Sequence, residues 1–261
     1  MKNMTDRLPS YDEIVDRNAI KLLQSPGDLT LRSGDIAVTR RGDLMLDSED
    51  YSAFVRLVQL WRHNFPTLLT LFNAAFQALE NGEEAKRKLD LLGSQKWEPA
   101  IGPLGGLDIS AYHATLERID AEKDAHGIYA GTITLVLNRA LASFKADIAA
   151  TLDEWQRAGT QINGHSVGAV LEAASNNMRH ADEWETAATA PTQQQLKSVH
   201  ILSTVLDEPI PANGSIRRFA RDISPEILDK LCARDFLRLE RTVFDFANAL
   251  LTLRQERKPA A

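Results

Sequence analysis

Apolar residues recur along this chain at intervals of three and four, the period of a helix with one buried face. The clearest run is Phe54, Leu57, Val58, Trp61, Phe65, Leu68, Leu69, Phe72 and Phe76, with Asp47 or Ser48 placed to cap it. Pro66 lies inside this run and lacks a backbone donor, which predicts a split or kink there. Asn81-Gly82 predicts its end, with a short charged helix on to Leu92. A second stripe, Ile133, Val136, Leu137, Ala140, Phe144, Ile148, Leu152 and Trp155, predicts one helix over 128–155. Arg139, Lys145, Asp147 and Asp153 make its polar face. A third, Leu228, Leu231, Cys232, Leu239, Val243, Phe246, Ala247 and Leu250, predicts one long helix opened by Ser224 as hydroxyl cap and Pro225 at the first position.

Shorter signals fill the intervals. Ser10 followed by Glu13 is a capping box and predicts a helix to about Gln24, stopped by Ser25-Pro26-Gly27. Helices are also predicted from Asp108 to about Ala125, closed by His126-Gly127, from Ser166 through Trp184, and from Thr192 to Leu206. Pro209, Pro211, Asn213 and Gly214 break the last of these. The one β signal is Ile36–Thr39 and Leu44–Leu46 around Arg41-Gly42-Asp43, a hairpin over about 36–46. The expected fold class is therefore all-α, a multi-helix bundle with one small N-terminal β-hairpin. The glycine- and proline-rich stretch Gly93–Leu107 divides an N-terminal helical region, 1–94, from a C-terminal helical bundle, 107–258, unless the two make one continuous domain.

Composition narrows the function classes. Among 261 residues 44% are apolar and 25% charged, ordinary globular usage with ample surface for a core. A net charge of −6 provides no global positive field for a nucleic-acid or membrane surface, although a local basic site stays open. The single Cys232 excludes an intramolecular disulfide and reads as a small buried hydrophobe. The first residues lack a signal-like apolar stretch, and the best apolar run, Phe65–Leu79, is too short to span a bilayer. The expected setting is cytoplasmic, with no membrane partner. No H-E-x-x-H, P-loop or G-x-G-x-x-G pattern occurs, so neither a metal nor a cofactor is expected.

Four constellations carry chemistry worth weighing. Gly164-His165-Ser166-Val167-Gly168 matches the G-x-S-x-G nucleophile elbow of serine hydrolases. That elbow needs a buried strand turning sharply into a helix, and the residues before it, Gln156–Asn163, are polar. The plainer reading is a glycine turn with Ser166 or Asn163 capping a helix. Arg62-His63-Asn64 beside Pro66 reads as a helix end, and Arg217-Arg218-Phe219-Ala220-Arg221 reads as a solvated basic surface.

The fourth is the segment Asn176–Trp184. On a regular helix, at about 100° per residue, Asn177, His180 and Trp184 share one stripe, with Glu172, Asn176, Arg179 and Glu183 on the next. An arginine fork can clamp a phosphate, and a histidine can move a proton near neutral pH. The same residues also make an ordinary charge ladder, Glu172–Arg179–Glu183, with His180 beside a packed Trp184.

The run Asn176-Asn177-Met178-Arg179-His180-Ala181-Asp182-Glu183-Trp184, in its helix-loop-helix context, resembles the polar signature of HEPN-type domains. These are all-helical proteins of prokaryotic defence and toxin systems, and the resemblance covers about Ile128 to Leu250. In the family's pattern the arginine and histidine stand about a turn apart, whereas Arg179 and His180 are adjacent. The resemblance implies a metal-independent ribonuclease with RNA as substrate and two copies pairing their motifs in a homodimer. It implies Arg179, His180 and Asn177 as catalytic residues and Asn176, Glu183 and Trp184 as substrate-binding residues. His180 would activate a ribose 2′-hydroxyl, and Arg179 would stabilise charge on the phosphorus centre. The alternative from a different class is a non-catalytic helical interaction or scaffold protein with a protein partner. The long apolar stripes independently suggest a symmetric homodimer.

Overall fold

The computed structural model describes residues 7–23, 29–32, 36–39, 49–94, 109–187 and 190–257. Among them are eight α-helices: α1 Tyr11–Arg17, α2 Glu49–Ser94, α3 Ile109–Asp147, α4 Leu152–Arg157, α5 Val167–Thr186, α6 Gln193–Leu206, α7 Ser224–Cys232 and α8 Phe236–Arg257. Two antiparallel hairpins accompany them, β1 Leu29–Arg32 with β2 Ile36–Thr39, and β3 Gln161–Ile162 with β4 His165–Ser166. The chain is thus an all-α bundle with very small β elements. No described helix is long and apolar enough to cross a membrane.

The frame is the antiparallel pair α2 and α3, of 46 and 39 residues. Arg56 Nε donates to Asp147 at 2.9 Å near one end, and Asn81 Nδ2 donates to Glu122 at 3.0 Å further along. Phe54, Val58, Trp61, Phe65, Leu68, Phe72 and Ala75 of α2 are all buried. Their spacing alternates four and three, the repeat that keeps two helices in contact over many turns.

That continuous seam explains why two expected breaks do not occur. Asn81-Gly82 lies inside α2 and His126-Gly127 inside α3. A glycine in a helix costs only about 1 kcal/mol, less than a helical partner supplies turn after turn. Pro66 is also internal, between the buried Phe65 and a Leu68 that is 1% exposed. Arg62-His63-Asn64 is accordingly mid-helix and not a helix end. Arg62 Nε donates to the Pro9 carbonyl at 3.1 Å, and Asn64 Nδ2 donates to the Leu60 carbonyl at 2.8 Å.

Elsewhere the chain breaks where the stripes run on. The helix expected over 128–155 ends at Asp147; Ala149 turns at φ 50°, and Thr151 opens α4 through a capping box with Glu154. The third stripe is split by the left-handed pair Ala233 and Arg234, at φ 47° and 61°. The Asp235 carboxylate then accepts from Leu237 N–H at 2.8 Å and begins α8. Ser224 lies in the first turn of α7, and the Asp222 carboxylate accepts its N–H at 2.9 Å, so an aspartate replaces the expected hydroxyl cap. Helix α1 stops at Arg17, seven residues before the expected Gln24, because Ala19 takes φ 47°.

The strand reading needs two corrections. Ile36–Thr39 pairs with the preceding Leu29–Arg32, Leu29 opposite Thr39 and Arg32 opposite Ile36. The proposed partner Leu44–Leu46 with its Arg41-Gly42-Asp43 turn, and residues 95–107 of the expected linker, lie outside the described residues. The second hairpin, β3–β4, was unexpected. Its two-residue loop is Asn163-Gly164 at φ 49° and 86°, the positive pair that a tight hairpin turn demands.

One contiguous core runs from Tyr11 to Leu251 and draws on both sides of 95–107. Charge ties it together at buried points. Glu240 is 0% exposed and accepts from Arg17 Nε (2.6 Å) and Nη2 (2.9 Å), Asn18 Nδ2 (2.9 Å) and Trp61 Nε1 (2.7 Å). A second buried ion pair joins Arg254 to Asp50 at 2.9 Å, and Arg254 Nε donates to the Ile148 carbonyl at 3.0 Å. The long stripes that suggested a dimer are largely covered within the chain: Ile133, Leu137, Phe144, Leu239, Val243 and Leu250 are each at most 1% exposed.

Removing Glu240 strands the donors of Asn18 and Trp61 in the core. Glu240→Ala is therefore expected to cost about 3–5 kcal/mol in urea unfolding followed by helical ellipticity, and Glu240→Gln, which still accepts hydrogen bonds, distinctly less. Equal losses for the two variants would show that the network is not what holds α1 and α8 to α2.

Candidate functional site

Gly164, Ser166 and Gly168 of the G-x-S-x-G segment each have a conformational or packing task. Gly164 takes φ 86° in the β3–β4 turn. Ser166 is fully buried; its hydroxyl donates to the Trp155 carbonyl at 2.6 Å and accepts from Ala169 N–H at 3.2 Å, capping α5. A Cβ on Gly168 would stand 2.5 Å from Phe246 Cζ and 2.5 Å from Trp155 Cζ2, so α5 can approach α4 and α8 only with glycine there. The strand before Ser166 has two residues and no parallel neighbour, so the elbow's strand-to-helix setting is missing.

The segment Asn176–Trp184 is not one straight helix. His180 has φ −131° and ψ 20°, a kink inside α5 that interrupts the 100° repeat. The expected stripe of Asn177, His180 and Trp184 is therefore divided between core and surface. Asn177 is 0% exposed: Nδ2 donates to the Phe219 carbonyl at 2.7 Å, and Oδ1 accepts from Ile223 N–H at 3.2 Å. Its carboxamide pins the turn around the short 3-10 helix Arg217–Phe219, which leads into α7, onto α5. Trp184 is 2% exposed and belongs to the core.

The other four candidates stay near solvent and hold one another. Arg179 Nε donates to the Ser175 carbonyl at 3.1 Å and Nη2 to Asn176 Oδ1 at 2.7 Å. Asn176 Nδ2 in turn reaches Ser198 Oγ on α6 at 3.4 Å. His180 Nδ1 lies 3.0 Å from Glu183 Oε1, with side-chain exposures of 43% and 69%. Arg179 and His180 thus sit adjacent on the surface, each oriented by a neighbour, while Asn177 faces inward.

Sequence reasoning missed a groove between α4, α5 and α6. Near Asn176, Glu172 and Ser198 it is narrow, with free space of about 10 Å³. Toward the β3–β4 turn it opens into a cavity of about 290 Å³ lined by Gln156, His165, Ser166, Lys197, His200 and Ile201 among others. The His165 and His200 rings stand edge to face, 6.0 Å apart. Burial and then the neighbouring His200 hold the His165 pKa below the ordinary imidazole value. The signals were spread over three elements, so no local motif could reveal them.

Two further candidates resolve simply. Cys232 is buried, its Sγ 2.9 Å from the Leu228 carbonyl, and burial pushes its thiol up to about 11, unsuited to a nucleophile at neutral pH. In the basic cluster Arg221 is held by Glu208 and Glu226, leaving Arg217 and Arg218 exposed. Among the described residues no three His, Cys, Asp or Glu side chains are grouped to hold a metal ion. No protein-family model, curated protein or solved structure matches the chain.

The geometry separates structural from surface positions within this segment. Asn177→Ala leaves two buried backbone groups unpaired and is expected to cost about 3 kcal/mol, whereas His180→Ala should stay within about 0.5 kcal/mol. Gly168→Ala overpacks the Trp155–Phe246 contact and should cost about 1–3 kcal/mol. Thermal and urea unfolding of the three variants measures all of this; a His180→Ala loss as large as that of Asn177→Ala would contradict the assignment.

Proposed function

We propose that this protein is a non-catalytic helical interaction protein that works through its long α2–α3 arm and associates with a second copy. The observation that carries this reading is where the core stops. The core cluster and its partly buried neighbours end at Phe76 on α2 and begin at Ala130 on α3. Both helices nevertheless continue, α2 to Ser94, about 27 Å further. Along this extension Ala78, Ala85 and Thr115 are buried, Leu79, Leu89, Leu92, Leu116 and Ile119 are half-buried, and Leu91 is 68% exposed. Two helices alone cannot cover leucines on this scale, and half-buried apolar rows on a helical hairpin suit another helix pair.

A second copy presents the same half-buried rows and so fits as that occupant. Both extensions carry mixed charge, Glu80, Glu83, Glu84 and Asp90 around Lys86-Arg87-Lys88 on α2, and Glu117, Asp120, Glu122 and Asp124 around Arg118 and Lys123 on α3.

A second reading keeps the HEPN resemblance. The exposed Arg179 beside a His180 oriented by Glu183 supports surface phosphate chemistry, with the missing polar partner supplied by another protomer. Asn177, committed to Phe219 and Ile223, takes no part in it.

Light scattering at micromolar concentration distinguishes these. A dimer that becomes monomeric in Leu91→Glu, with helical content unchanged, is the expected result; a monomeric wild type would end the arm reading. RNA incubated with excess protein should remain intact. Cleavage that disappears in His180→Ala while folding persists would replace the first reading by the second.

A further inference from the structure

We propose that the cavity between α4, α5 and α6 binds a small molecule carrying a tetrahedral oxoanion, phosphate above all, through Lys197, His165, His200 and Gln156. Three elements bring these groups together. Gln156 comes from α4, His165 from the β3–β4 hairpin, and Lys197 and His200 from α6, one turn apart. Every hydrogen-bonding head group in this set can donate: an ammonium, two imidazoles and a carboxamide.

None of the four side chains has a hydrogen bond or ion pair among the described residues, and no carboxylate lines this cavity. Elsewhere in this chain of net charge −6 some cations are paired with carboxylates, such as Arg221 with Glu208 and Arg157 with Asp153. His200, its ring centroid 6.0 Å away, disfavours a proton on His165. An anion between them converts that repulsion into attraction. Burial first, and then His200, hold the His165 pKa below the ordinary imidazole value, and an anion placed between the rings would oppose that shift.

The cavity also has the right size and walls. About 290 Å³ exceeds what a bare oxoanion fills, and Ala169 and Ile201 supply an apolar wall for an attached organic group. The first turn of α5 opens at the same place through Ser166 and Ala169 and adds a weaker positive potential. Of the acidic groups nearby, Glu172 lines the narrow adjoining stretch and not the cavity, Asp153 on α4 is 2.6 Å from Arg157, and Asp207 at the end of α6 accepts from Asn163 of the β3–β4 turn at 3.3 Å and lies 3.8 Å from Lys230.

The test uses the full chain with inorganic phosphate as probe, followed through the histidine ring resonances. Phosphate should produce saturable shifts of His165 and His200, and Lys197→Gln/His200→Gln should weaken binding at least about tenfold, as charged donors do. Both substituted residues are exposed, so thermal unfolding should not move, and His200→Gln alone provides a milder variant. Sulfate, whose charge is constant in this range, should bind more tightly at pH 6 than at pH 8. The His165 imidazole is cationic below its lowered pKa and loses that charge as pH rises, so its contribution is present at the acidic end and absent at pH 8. Three results would overturn the proposal: no saturation by ~10 mM phosphate, a millimolar limit on any useful affinity; equal affinity in the double variant; or acetate binding as tightly as phosphate. None of these bears on the arm or on RNA, so the site and the proposed function stand or fall separately.

Discussion

A single buried carboxylate organises much of this molecule. Glu240 sits at 0% exposure on α8, where an ionised group without partners would be several kcal/mol out of place. It becomes tolerable only because Arg17, Asn18 and Trp61 aim four donor contacts at it. Together with Glu240 itself, those residues come from the start, the first third and the end of the chain. The requirement to satisfy one charge therefore sets α1, α2 and α8 in register, in a way apolar contact alone, being non-directional, would not. Further along α8 the logic repeats with opposite sign: Arg254 is buried against Asp50 and the Ile148 carbonyl, and Arg257 reaches the Ala149 carbonyl at 3.0 Å.

With α8 fixed, the placement of α5 follows. Gly168 lets α5 press against Phe246 of α8 and Trp155 of α4, and Asn177 fastens the turn before α7 to its other side. This docking decides which polar side chains are available. Asn177 and Trp184 are drawn inward by contacts that hold the fold, whereas Arg179, His180 and Glu183 are left facing solvent. The same docking leaves α6 standing off from α4 at one end, and there His165, His200 and Lys197 meet around open space. The groove is thus a by-product of how three short elements seat on a rigid frame.

The sequence by itself determined the helical class and most of the buried face. Periodicity at three and four is a local consequence of 3.6 residues per turn, so Phe54, Trp61, Phe72, Ile133, Phe144 and Leu250 could be assigned to the core before any coordinate was known. Capping is equally local, and Ser10 and Ser166 were legible as caps because each hydroxyl accepts from the backbone N–H three residues on. The tertiary structure decided where helices continue through Gly82 and Gly127 and where they stop at Ala149 and Ala233, since these depend on partners distant in sequence. It also decided what the polar residues do. Whether Asn177 faces a substrate or a carbonyl, whether Ser166 attacks or caps, and whether His165 meets His200 depend on the neighbours brought beside them. A side chain's chemistry is written in its own letter, but its availability is set by the groups around it, and those are gathered only by folding.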